Sequence, residues 1–97
     1  MEYSFSNSLF EWRGPAPFYF LRVSQEMSDE IKVVSNEVSY DWGVIPVTGQ
    51  VDGFGFTTAL IPREGVYYLP IKMAVRKKFG LEVGDEVQVE FDLGARK

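Results

Sequence analysis

Along residues 86 to 93 apolar and polar positions alternate without a break. Val87, Val89, Phe91 and Leu93 fall on one side, and Glu86, Gln88, Glu90 and Asp92 on the other. A period of two predicts a strand with one face in the core and one in water. Upstream, residues 66 to 71 are aromatic and branched, which suits a half-buried pleated surface. Pro70 stands near the end of that run, where a missing N–H costs little. The period then changes, since Ile71, Val75 and Phe79 recur at helical spacing with Ala74 alongside, and Lys72, Arg76, Lys77 and Lys78 fill the other faces. Gly80 stops this short helix, and the cations before it suit the negative end of its dipole. Leu81-Glu82-Val83-Gly84-Asp85 makes the turn into the last strand.

The earlier part of the chain reads in the same way. Residues 3 to 13 predict a first strand, with Tyr3, Phe5 and Leu9 on one face and Phe10 and Trp12 on the other. Gly14-Pro15-Ala16-Pro17 breaks it, and residues 18 to 23 make a second strand. Ser24 is placed as a helix N-cap, with Glu26, Asp29 and Glu30 in the early turns. Met27, Ile31, Val34 and Val38 give an amphipathic helix to about residue 38. After a loop over residues 39 to 43, residues 44 to 51 predict a third strand and Asp52-Gly53 a hairpin turn. Residues 54 to 61 predict a fourth strand, and Pro62-Arg63-Glu64-Gly65 turns the chain into residue 66.

The two halves can be laid on each other. Phe5-Ser6-Asn7-Ser8-Leu9-Phe10 matches Phe56-Thr57-Thr58-Ala59-Leu60-Ile61, and Phe18-Tyr19-Phe20-Leu21-Arg22-Val23 matches Val66-Tyr67-Tyr68-Leu69-Pro70-Ile71. Each half then runs through a helix and a loop to a last strand, residues 44 to 51 or 86 to 93. The expectation is one domain over residues 1 to 97, built from two strand–strand–helix–strand copies over residues 3 to 52 and 54 to 93.

Two resemblances follow from these residues. Leu69-Pro70, Val75-Arg76, Phe79-Gly80-Leu81 and Val83-Gly84-Asp85 before an apolar strand resemble the core of the AbrB-like swapped-hairpin proteins. Many of those are transcription regulators or antitoxins that bind DNA as dimers. Such proteins close a barrel by pairing two chains, because one copy leaves open sheet edges. Two fused copies therefore predict a mainly β fold, a six-stranded pseudo-twofold β-barrel capped by two short helices. Over nearly its whole length the chain also resembles the bacterial and archaeal family known as domain of unknown function 1905. The residues concerned are Trp12 with Phe18-Tyr19-Phe20, Gly43 with Pro46-Val47, and Gly53 with Phe56-Thr57-Thr58-Ala59-Leu60. They continue with Tyr68-Leu69-Pro70-Ile71, Val75-Arg76 and Gly84-Asp85. That resemblance implies a double-split β-barrel and no established activity, cofactor or partner.

Composition narrows the chemistry. Apolar residues make up 45% of the 97 and aromatics 15%, which argues for a globular domain over a disordered chain. No apolar run approaches the roughly 20 residues that span a bilayer. Residues 1 to 4 show neither a basic nor an apolar signal segment, so the expected compartment is the cytoplasm. Cysteine and histidine are absent, which removes disulfides, thiolate or imidazole metal sites and His- or Cys-based catalytic groups. A carboxylate-only cation site would have to come from neighbours such as Glu90 and Asp92, which solvated strand positions explain better. The expectation is a non-enzyme without metal or cofactor. Net charge is −4, which works against non-specific phosphate binding.

Two candidate surfaces remain. Lys72, Arg76, Lys77 and Lys78 could present cations to phosphate. Alternatively Arg76 is structural, pairing with Asp85 or bonding carbonyls near the Gly80 and Gly84 turns. The cations are not interleaved with exposed aromatics as a single-strand platform requires. Trp12, Trp42 and Phe56, with Tyr40 and Phe54, could line a ligand pocket, or could plug the barrel ends. The reading is a binding module for a small molecule or a protein, acting as a monomer or weak homo-oligomer and away from membranes. A DNA-binding regulator using helix 72 to 78 is the alternative, resting on fold analogy.

Overall fold

The computed structural model describes residues 2–12, 18–35 and 44–93. Seven strands and two helices follow in order: β1 (Glu2–Ser8), β2 (Phe10–Trp12), β3 (Phe18–Arg22), α1 (Gln25–Ser35), β4 (Ile45–Val51), β5 (Phe54–Arg63), β6 (Val66–Pro70), α2 (Met73–Phe79) and β7 (Glu86–Leu93). The strands form one curled antiparallel sheet in the order β1-β7-β4-β5-β6-β3-β2.

The closed six-stranded barrel expected from the repeat is not what forms. The predicted first strand is two strands meeting at Leu9. There the N–H donates to the Asp85 carbonyl at 2.8 Å, and the Leu9 carbonyl accepts from the Gly84 N–H at 2.8 Å. With its backbone groups taken by the turn before β7, Leu9 cannot continue a ladder. β1 therefore stays on β7 while β2 goes to β3, so the two ends of the sheet are successive pieces of chain. Across the gap the Asn7 amide Nδ2 donates to the Arg22 carbonyl at 3.0 Å. A side chain stands where a ladder would have closed the barrel.

β5 makes the equivalent crossing as one strand, pairing with β4 through Leu60 and with β6 from Ile61. The predicted turn over residues 62 to 65 accordingly shrinks to Glu64-Gly65, whose φ angles are 55° and 86°. Pro62 is tolerated inside β5 because β4 has already ended, so its missing N–H faces a free side. Asp52 and Gly53, at φ 50° and 81°, make the predicted hairpin turn.

The pseudo-symmetry shows in the hydrogen bonds where the halves meet. The Val23 N–H donates to the Tyr67 carbonyl at 3.0 Å, and its counterpart, the Ile71 N–H, donates to the Tyr19 carbonyl at 2.8 Å. Between them Leu21 faces its own counterpart Leu69. On the other side of the sheet Gly49 faces Phe91, again an equivalent pair. The symmetry is partial, since Phe5 faces Val89 while its counterpart Phe56 faces Gly49.

The core fills the concavity of the sheet. Leu9, Leu21, Val47, Leu60, Leu69 and Val89 are essentially solvent-free. Ser24 caps α1 as its sequence suggests, its Oγ accepting from the Met27 N–H at 3.1 Å. The predicted end of that helix, at residue 38, lies outside the described residues. Ile31 buries α1 against the sheet and Val75 does the same for α2. Gly80 closes α2 at φ 62°, with the Leu81 N–H donating to the Arg76 carbonyl at 2.9 Å.

Candidate functional site

Alternation along the strands sends Leu21, Val23, Leu69 and Ile71 into the core, and their neighbours to the opposite face. On that face β2 carries Phe10 and Trp12, which stand opposite Phe20 and Phe18 of β3. Ile61 of β5 stands opposite Tyr68 of β6. A strand face turned from the core is ordinarily polar, and here it is aromatic.

An open cleft of about 340 Å³ lies among these side chains. Among the described residues its lining is Pro62 and three equivalent pairs: Phe10 with Ile61, Trp12 with Arg63, and Phe20 with Tyr68. The cleft thus sits on the pseudo-twofold axis, and each half supplies one wall. Phe10 tilts against Phe20 at 5.9 Å and meets Tyr68 edge-on at 5.8 Å; Trp12 lies 6.2 Å from Phe20. Phe20 forms the floor at 5% exposure, while Trp12 at the rim is 44% exposed. The Arg63 guanidinium lies 3.8 Å from the Trp12 ring centroid, a cation–π contact at the mouth.

The basic helix is less concerted than its sequence suggests. Arg76 is half-buried, its guanidinium 3.7 Å from the Tyr19 ring centroid and its Nε 3.5 Å from the Ile71 carbonyl. Asp85, the partner expected for it, instead accepts the Glu82 N–H at 2.8 Å and so shapes its own turn. Lys72 Nζ lies 3.4 Å from Thr57 Oγ1, and Lys78 Nζ lies 5.4 Å from the Phe54 ring. Lys77 is exposed. Lys72 and Arg76 also border a second cleft of about 300 Å³ with Phe18, Tyr19, Thr58 and Met73. A cation thus stands beside aromatic rings at each cleft, Arg63 at the first and Arg76 at the second.

The proposed pocket aromatics separate. Trp12 lines the axial cleft. Phe56 is only 8% exposed and packs in the core, where a Cβ on Gly49 would come within 2.9 Å of its Cζ. Trp42 lies outside the described residues, as does Tyr40. Phe10, Phe20, Ile61, Arg63 and Tyr68 were not singled out from sequence. Their signal was the repeat itself, which places Phe10 on Ile61 and Phe20 on Tyr68 at outward positions. Among the described residues no group of three or more Asp, Glu, Cys or His side chains could hold a metal ion. No helix of the described residues is long and apolar enough to cross a membrane.

Fold and cleft together define a small, mainly β domain with internal pseudo-symmetry and an aromatic cleft on its axis. Residues 5–91 match the family described as Domain of unknown function (DUF1905), and the chain belongs to that family. A comparison with curated proteins finds no match.

Proposed function

We propose that this is a non-catalytic binding domain and that its site is the axial cleft. The observation that carries the reading is the exposed indole of Trp12 over a floor of aromatic rings, on a sheet face that nothing in the core requires to be apolar. A site made from both halves of a duplicated chain needs no second subunit, which supports action as a monomer or weak homo-oligomer. Division into copies over residues 3 to 52 and 54 to 93 belongs to the same reading.

The test is a fragment screen on the isotope-labelled chain, followed by amide and indole N–H shifts. Hits should gather on Phe10, Trp12, Ile61 and Tyr68 and should be lost in Trp12→Ala. A screen whose hits scatter over the surface, or avoid this face, removes the proposal.

The regulator reading rests on the exposed Lys72, Lys77 and Lys78 of one helix. Duplex DNA followed by anisotropy at low salt, beside Lys77→Glu/Lys78→Glu, decides it, because phosphate contacts are strongest there. Absence of salt-dependent binding retires it.

A further inference from the structure

We infer that the axial cleft takes a small aromatic carboxylate, with Arg63 as its anion partner and Trp12 as the ring it stacks upon. The inference rests on the binding role proposed above and deepens it. Size sets the first limit, since about 340 Å³ suits a molecule of one or two rings. The lining sets the second. Ring planes of Phe10, Phe20 and Tyr68 are inclined by 35° to 76°, so an entering ring meets both edges and faces.

Such a floor cannot compensate a charge, which must be met at the mouth. Among the described residues of the lining, Arg63 is the cation. Its guanidinium lies 3.8 Å from the Trp12 ring centroid, a cation–π contact that holds it at the mouth. The planar fork of N–H groups on a guanidinium matches a carboxylate in two-point geometry. A phosphate dianion would bring more charge than one arginine in an apolar lining can offset, so a monoanion fits better.

The divergence of the halves points the same way. Trp12 and Arg63 occupy equivalent positions, and so do Phe10 and Ile61. Two tryptophans or two arginines would have made a symmetric mouth. One of each makes a mouth with an apolar side and a cationic side, which orients a ligand carrying a ring and a single negative end.

The experiment titrates the full chain with three probes of one shape: 2-naphthoate, 2-naphthamide and 2-naphthylmethylammonium. Shifts of the Trp12 indole N–H and of the backbone at Ile61 and Tyr68 report occupancy. Naphthoate should bind about tenfold tighter than the amide, the scale of a charged hydrogen-bonded pair. Arg63→Gln should abolish the difference in affinity between naphthoate and the amide, and Arg63→Lys should restore part of that difference. Arg63 is exposed, so these variants should fold. Equal binding of anion and amide, or no effect of Arg63→Gln, overturns the carboxylate inference and leaves cleft binding standing. Shifts confined to Lys72 and Arg76 overturn it in favour of the second cleft. If no probe moves the Trp12 signal, both the inference and a small-molecule role for this cleft fall.

Discussion

Leu21 and Leu69 face each other at the middle of the β3–β6 ladder, both free of solvent, and each stands where the other does in its own half. This contact joins the halves through the core. Truncation removes packing from both at once. Leu21→Ala and Leu69→Ala should each cost about 2–5 kcal/mol in urea unfolding, with the double variant differing from the sum because the pair is in contact. A loss under about 1 kcal/mol at both sites would mean that this ladder is not where the halves are held.

Ser28 and Arg76 are also equivalent, and each reaches the tyrosine of the opposite half by a different chemistry. Ser28 is fully buried and its Oγ accepts the Tyr67 N–H at 3.1 Å, whereas Arg76 lies over the Tyr19 ring. Ser28→Ala strands a buried backbone donor and should cost about 1–3 kcal/mol. Arg76→Ala should cost about 1 kcal/mol, since its ring contact is part-exposed. Lys77→Glu/Lys78→Glu should stay within about 0.5 kcal/mol of the native chain. Thermal melts of the three variants separate a structural Arg76 from its exposed neighbours.

Gly49 leaves no room for a side chain. A methyl there meets the buried Phe56 ring at 2.9 Å, so Gly49→Ala should destabilise by about 1–3 kcal/mol through overpacking. Phe56→Leu in the same chain should recover part of that loss. Absence of any such coupling in a double-mutant cycle would show that the ring can move aside freely.

Tyr3 stacks on Phe91 at 5.3 Å, and burial, followed by the negative charge of Glu30, raises its pKa above the ordinary value. A tyrosine that holds its proton more tightly when folded contributes stability that is complete below its unfolded pKa. That contribution is lost as pH rises through the folded pKa. Stability should therefore fall above about pH 10, and Tyr3→Phe should flatten that decline relative to the native chain. Identical alkaline profiles for the two proteins would contradict this.

Local elements were legible because their causes are local. The alternation of residues 86 to 93 appears as β7, Ser24 caps α1 through a hydrogen bond three residues away, and Gly80 and Asp52-Gly53 adopt the left-handed angles their positions require. The repeat was legible too, since Leu21 and Leu69, or Val23 and Ile71, align before any ladder is known. The cleft was only partly legible. Trp12 stood out by size, whereas Arg63 looked like part of a turn and Phe56 looked like a pocket wall.

Amino-acid order alone determined where most strands and helices lie, pointed to a partly duplicated fold, and excluded cysteine and histidine chemistry. Tertiary structure decided the rest through register. Leu9 breaks the first strand because its partners are Gly84 and Asp85, at the far end of the chain. Pro62 and Arg63 belong to β5 because β6 pairs with them after β4 has ended. Arg63 meets Trp12 because the β2–β3–β6–β5 part of the sheet curls until equivalent positions touch. Hydrogen bonds and ring contacts between distant segments depend on how ladders align in space, and no short window of residues contains that information.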